Sequence, residues 1–331
     1  MGFSVKSESI ISLVLILSTW AWHVMSVRTL HESTIAERHA QWMAQYGRTY
    51  KDPEEKEGET PDSNASGNRT FKMGLNQFSD LTNKEFIQNH TGYLASKQPK
   101  SPKMAPSIHR YLTGDVPDSV DWVKKGAVNP IKDQGRCGSC WASSAVAAVE
   151  GISQITSGKL PVLSEQQLID CDSESYGCNG GLPDSAFQYI IQNKGIASED
   201  TYPYQEKDGT CNSTKAAQHA AQIKDFADVP PGEDELLKAV VQQPVSVAIV
   251  ASGPEFQSYS SGVFNGDCSG ELDHAVAVVG YGTSDDGTKF WKIRNSWGET
   301  WGEGGYMRIQ RGNGSSKGKC GLASQASYPI A

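Results

Sequence analysis

Three short runs carry residues that could together do nucleophilic chemistry. They are Gln134-Gly135-Arg136-Cys137-Gly138-Ser139-Cys140-Trp141, His274-Ala275-Val276 and Arg294-Asn295-Ser296-Trp297-Gly298. A thiol attacks a carbonyl as thiolate, an imidazole beside it takes and returns the proton, and a carboxamide can hold that imidazole without adding charge. His274 lies 134 residues after Cys140 and Asn295 lies 155 after it, so only the tertiary fold can bring them together. The alternative reading of Cys140 is a buried structural cysteine or half of a disulfide. The chain has seven cysteines, an odd number, so one thiol is free or pairs with another chain.

The elements that must position these residues are legible around them. The polar loop ending at Cys140 runs into a segment whose apolar positions Ala142, Ala145, Val146, Val149, Ile152 and Ile155 recur at three and four, the period of a helix with a buried face. Ser139 stands where a helix-capping residue would, which places Cys140 at the positive end of the helix and favours its thiolate. Helical patterns continue at Ser164-Glu165-Gln166-Gln167, a capping box before Leu168 and Ile169, and from Asp184 to Ile191. The period then changes. Pro244 to Ser252, His274 to Gly282, Lys289 to Ser296 and Gly305 to Gln310 are Val, Ile and aromatic runs between glycines, which read as strands. A helical lobe carrying Cys140 beside a sheet lobe carrying His274 leaves a cleft between them, where substrates bind.

Composition bounds the rest. The chain has 331 residues, 37% of them hydrophobic, enough for two or three domains with a real core, and a net charge of −8. With no Lys/Arg-rich run, nucleic acid and anionic membrane are excluded as partners. Residues 1–26 read as a signal peptide, with Lys6 before the run Ile10 to Leu17, which is too short to span a bilayer. A secretory route makes disulfides and glycans expected. Asn64, Asn68, Asn89, Asn212 and Asn313 each begin an Asn-x-Ser/Thr triplet. Residues 33–47 have a capping serine, helical spacing and a stopping glycine. Lys51 to Arg69 is almost free of apolar residues and reads as loop or disorder. Phe71 to Asp80 and the capping box Thr82-Asn83-Lys84-Glu85 precede another short helix. Residues 94–118 have the composition of an exposed linker open to cleavage.

Cys137-Gly138-Ser139-Cys140-Trp141 matches the local signature of the papain family of cysteine peptidases, in which His and Asn follow roughly 130 to 150 residues downstream. Over residues 115–331 the chain resembles the plant cathepsin L-like members of that family. The resemblance implies an α+β fold of two lobes, one helical and one an antiparallel β-barrel-like sheet, with the active site in the cleft between. It implies an endopeptidase that needs no cofactor or metal, with Cys140 as nucleophile, His274 as acid and base, Asn295 orienting His274, and Gln134 joining the Cys140 amide as oxyanion donor. Trp297 shields the His274–Asn295 bond and is counted with the substrate-contacting residues. Of the fifteen pairings open to the other six cysteines, the resemblance implies Cys137–Cys178, Cys171–Cys211 and Cys268–Cys320. Gly180 and Gly181 match the strip whose backbone pairs with an extended substrate. Leu182, Pro183, Ala248, Leu272, Ala275 and Gln325 match the walls of the main specificity pocket, implying a preference for a hydrophobic or aromatic residue two positions before the cut.

Upstream, Gly74-Leu75-Asn76-Gln77-Phe78-Ser79-Asp80 is similar to an element of the family's inhibitory propeptides. Residues 27–114 are therefore read as a small helical propeptide, but one that lacks the second helix such propeptides carry, since only the polar run Glu54 to Asn68 stands there. A mis-joined exon and a diverged, weakly inhibited zymogen both fit. Ser143 departs as well, where the family usually has Phe; a buried Phe reduced to an Ala-sized residue costs roughly 3 to 5 kcal/mol where the gap does not close. The expected partners are polypeptide substrates, the chain's own propeptide and cystatin-like inhibitors, for a monomer without stable membrane association, in a vacuole or lysosome-like compartment or outside the cell. The rival reading is a catalytically silent secreted binding or storage protein on the same scaffold.

Overall fold

The computed structural model of the chain describes residues 40–47, 69–97 and 116–331. The signal segment, the polar run with Asn64 and Asn68, and most of the cleavable linker lie outside the described residues. Residues 40–46 are helical (α1) and end at Gly47, whose φ of 62° is the left-handed conformation glycine adopts freely; they belong to a compact unit of their own.

The larger unit is organised around α3 (Cys140–Ser157). Every residue from Cys140 to Ile152 is buried, and Gly158, at φ 72°, caps the helix through its amide to the Gln154 carbonyl. One face of α3 packs with α4 (Glu165–Cys171) and α5 (Pro183–Gln192), putting Trp141, Ala145, Val149, Leu168 and Phe187 in one core. Burying each of the larger apolar side chains contributes about 1.5 to 3 kcal/mol. Ser144 ties the opposite face to the sheet, its hydroxyl 2.8 Å from the Val276 carbonyl and 2.5 Å from the Ser246 hydroxyl.

The sheet has nine strands. β1 (Phe71–Met73), β7 (Tyr259–Phe264), β10 (Tyr306–Gln310), β9 (Lys289–Arg294), β8 (His274–Thr283), β6 (Val245–Ile249), β11 (Ala326–Ile330) and β5 (Asp225–Val229) follow one another, and β2 (Val120–Asp121) pairs with β8. The barrel-like sheet expected from the resemblance does not close: the strand path is open at β1 and β5, and β7 and β10 run parallel. The sheet covers its own aromatic-rich core, including Trp291, Trp297, Trp301, Phe256 and Tyr259. Strand registers place Ala248 opposite Ala275 and Ile249 opposite His274, so the pocket walls are set by β6–β8 pairing.

The 69–97 segment lies across this unit. β1 adds an antiparallel strand to β7, and α2 (Asn83–His90) starts at Thr82 with its capping box formed. Phe78 and Phe86 pack their ring edges against Trp297 at centroid distances of 5.6 and 5.0 Å.

Candidate active site

Cys140 is the first residue of α3. Ser139 does not cap the helix with its side chain, contrary to the sequence expectation. Its hydroxyl is 2.9 Å from the Tyr204 hydroxyl, and its carbonyl takes the amides of Ala142 and Ser143 instead. Three disulfides, Cys137–Cys178, Cys171–Cys211 and Cys268–Cys320, leave Cys140 as the free thiol. The first fastens the nucleophile loop to the glycine strip, where the Gly138 amide also donates to the Cys178 carbonyl at 2.9 Å. By chain entropy a link closing a loop of this size contributes about 4 kcal/mol.

His274 opens β8, and its Nε2 lies 2.8 Å from Oδ1 of Asn295. The ring stacks on Trp297 at 4.5 Å, and its Nδ1 has no hydrogen-bond partner among the described residues. Cys140 packs with Ala275, the next residue, and the backbone amide of Ala275 faces the thiol. Gln134 is fixed from three sides. Its amide donates to the Ser296 carbonyl at 2.8 Å, its Oε1 accepts from the Ser296 hydroxyl at 2.6 Å, and its Nε2 donates to the Cys137 carbonyl at 2.9 Å. The loop before the nucleophile is thereby laced to the Asn295-Ser296-Trp297 loop. Ser296 was not singled out in the sequence, where Asn-Ser-Trp-Gly reads as well as a turn.

The cleft is filled by the chain itself. Gly92 and Tyr93 donate their amides to the Asp273 carbonyl, Gly181 donates to the Gly92 carbonyl at 2.9 Å, and Leu94 donates to the Gly181 carbonyl at 3.2 Å. Tyr93 and Gly181 pair in the parallel sense. Gly92 has to be glycine: a Cβ there would collide with the carbonyl oxygen of Gly138. The Tyr93 side chain packs with Leu182, Ala248, Ala275 and Leu272, and its hydroxyl donates to Oε1 of Gln325; Pro183 lines the same depression. His90 presents its carbonyl to Gln134 Nε2 at 3.2 Å and to Trp297 Nε1 at 3.0 Å. These covering residues were missed in the sequence, where Thr91-Gly92-Tyr93 carries no chemistry of its own.

Burial sets the protonation of the pair. Cys140 and His274 are both 0% exposed. Desolvation pushes the thiol up to about 12, and desolvation lowers His274 to about 4 although its bond to Asn295 works the other way. Burial thus disfavours the charged form of each group in the covered site. Ser143, also buried, lines a cavity beside Gln134. Asn212 and Asn313 are exposed, and Asn89 is half-buried with its Nδ2 donating to the Glu85 carbonyl. No cluster of His, Cys, Asp and Glu among the described residues could hold a metal ion, and no helix among them is long and apolar enough to cross a membrane.

A free cysteine at a helix start, a histidine held by an asparagine across a cleft, and a covering segment of the same chain define the class: a cysteine protease in zymogen form. The family model described as papain family cysteine protease matches residues 116–330, and that of the cathepsin propeptide inhibitor domain matches residues 61–86. The chain belongs to the papain family of cysteine proteases. It is 47% identical to the senescence-specific cysteine protease SAG12 of Arabidopsis thaliana, over 98% of this chain and 99% of that one. It is 52% identical to vignain of Vigna mungo, over 79% of this chain and 74% of the relative. Among solved structures, the proform of the ragweed pollen allergen Amb a 11 superposes with a TM-score of 0.84 at 40% identity, covering 90% of this chain and 95% of that one.

Proposed function

We propose that residues 115–331 form an endopeptidase in which Cys140, His274, Asn295 and Gln134 do the chemistry, and that residues 27–114 keep it latent after the signal peptide 1–26 is removed. When the cover leaves, water and the Ala275 amide again favour charge in the cleft, and the Cys140 proton passes to His274. The thiolate attacks the scissile carbonyl, and the negative oxygen that develops is stabilised by Gln134 Nε2 and the Cys140 amide. His274 returns its proton to the leaving amine, giving a thioester. Water, deprotonated by His274, then hydrolyses the thioester and restores the thiol. Asn295 keeps the imidazole plane fixed through Nε2, and Trp297 excludes water from that bond.

The observation that carries this reading is the state of His274: held through Nε2, unpaired at Nδ1, and adjacent in sequence to the residue that meets the thiol. Specificity follows from Tyr93. The covering segment places an aromatic ring among the residues assigned to the main pocket, so that pocket accepts an aromatic residue two positions before the cut, with Gln325 at its end. Gly180 and Gly181 supply backbone pairing to the substrate. We place the protein in the secretory pathway, ending in a vacuole or outside the cell, as a monomer acting on polypeptides and open to cystatin-like inhibitors.

The test is the full chain expressed in an oxidising host beside a Cys140→Ala twin, both acidified under mild reductant and assayed on a peptide with Phe or Leu two positions before the cut. Cleavage by the first alone is expected. Equal cleavage by both, or none by a soluble, trimmed first protein, overturns the assignment.

A further inference from the structure

The cavity of about 260 Å³ beside α3 is lined by none of the residues assigned to the specificity pocket. It exists where Ser143 takes the place of a bulky side chain, one helical turn after the nucleophile, and it is bounded by Lys132, Asp133, Gln134, Glu165, Glu199 and Tyr204. Its polar atoms are unbalanced. Lys132 Nζ donates to the Leu163 carbonyl at 2.7 Å, to Glu165 Oε2 at 2.5 Å and to Glu199 Oε2 at 3.0 Å, which uses its three protons. The Tyr204 hydroxyl donates to the Gln134 carbonyl at 2.8 Å. Asp133 accepts the Gly135 amide, and Glu199 Oε1 accepts the Tyr204 amide. Glu165 is 2% exposed, and its second oxygen, Oε1, has no hydrogen-bond partner among the described residues. Asp133, Glu165 and Glu199 thus line the cavity beside one ammonium whose three protons are engaged, and a buried acceptor remains.

We propose that this cavity is a binding site for a small guanidinium-class cation, whose planar N–H groups satisfy Glu165 Oε1 and the neighbouring carboxylates. A guanidinium matches paired carboxylate oxygens better than a spherical ion does, and its weaker hydration lowers the cost of bringing it into a half-enclosed space. The volume of about 260 Å³ admits a cation of methylguanidinium size. Binding is coupled to the proton on Glu165. Burial, with Glu150 and Glu199 adding repulsion and Lys132 opposing it, holds that carboxyl up at about 7, and Asp133 is raised in the same direction. Affinity therefore falls as pH drops through 7. The site adjoins the backbone of Gln134, so its occupant is felt at the oxyanion loop. The proposal does not rest on the peptidase assignment.

The experiment uses the full-length Cys140→Ala protein, which cannot digest itself, titrated with methylguanidinium chloride by calorimetry at pH 8 and pH 6 in constant excess sodium chloride. Saturable 1:1 binding is expected at pH 8, weakened about tenfold at pH 6. Tetramethylammonium chloride, of equal charge but without N–H donors, should not bind. Ser143→Phe, which fills the cavity, should abolish binding. Should Ser143→Phe fail to fold, Glu165→Gln decides, since it keeps the cavity and removes the charge; a loss of tenfold or more is expected. Binding that survives in either variant, is matched by tetramethylammonium, or never saturates overturns the site.

Discussion

Gln134 donates its Nε2 to the carbonyl oxygen of His90 at 3.2 Å, so the amide assigned to the oxyanion is occupied in the zymogen by a carbonyl of the covering segment. Under the proposed assignment one group serves latency and catalysis. Gln134→Ala should then have two effects of opposite sense. In the trimmed enzyme kcat should fall by roughly 10² to 10³, as for loss of one oxyanion donor. In the full chain the cover should be released at a higher pH than in the parent. Both are read from one sample by following trimming on a gel and turnover after trimming; a variant with undiminished kcat would remove Gln134 from the oxyanion site.

His90 makes the cover sensitive to acid. Its ring is buried against Phe78 and Phe86, with Gly135, Arg136 and Glu206 nearby. Burial foremost, with Arg136 contributing and Glu206 opposing, lowers it to about 4 from an ordinary value near 6.5. The docked state therefore prefers the neutral ring. Docking is at full strength above about 6.5, weakens as pH falls through the window from 6.5 to 4, and has lost the whole contribution, on the order of a few kcal/mol, below that. His90→Gln, which does not titrate, should make the pH dependence of cover release between 6.5 and 4 shallower, leaving the share due to His274, measured as the rate at which Cys140 becomes reactive to iodoacetamide. An unchanged profile would assign acid sensing to other groups.

The two-lobe division was legible because the apolar period changes from helical before Gln192 to strand-like after Pro244, and periodicity is what burial selects. The residues proposed for the site stood out because Cys140, His274 and Asn295 lie in short, distinctive runs. What escaped is informative. The strands Asp225–Val229, Tyr259–Phe264 and Ala326–Ile330 were not singled out, since β7 has Ser260, Ser261 and Gly262 in its middle and β11 contains Pro329. Their pairing is decided by neighbours distant in sequence. That the sheet stays open at β1 and β5 is a matter of its edges, which no local pattern encodes. The burial that disfavours charge on Cys140 and His274 was also invisible, because it belongs to the packed tertiary structure.

Gly92 tests the close fit of the cover. Its backbone passes between Gly138 and Gly180, and a Cβ at Gly180 would in turn press on the Gly92 carbonyl at 2.7 Å. Both neighbours are backbone, so neither side yields by a rotamer change. Gly92→Ala should unseat residues 92–94 without touching the catalytic groups. At neutral pH the full-length variant should hydrolyse a small fluorogenic peptide at least tenfold faster than the parent, and after trimming the two should be equal. Full latency in the variant would mean that Gly92–Leu94 contributes little to inhibition.

Tyr93 reports what the specificity pocket can recognise. Its ring meets the apolar walls while its hydroxyl donates to Oε1 of Gln325, so the pocket offers both an aromatic cavity and a hydrogen-bond acceptor at its end. A buried acceptor left unpaired penalises a ligand lacking the hydroxyl, and a neutral bond of this kind is worth about 1 kcal/mol. The trimmed enzyme should therefore cleave peptides with Tyr two positions before the cut roughly fivefold better, in kcat/KM, than the same peptides with Phe. Gln325→Leu should reverse that order, because the acceptor is gone and the hydroxyl would then be buried without a partner. Tyr93→Phe in the full chain should loosen the cover by a similar factor, read as faster labelling of Cys140. Equal kcat/KM for Tyr and Phe in both the parent and Gln325→Leu would show that the Gln325 carbonyl is met by water when substrate is bound, and that only the apolar walls select.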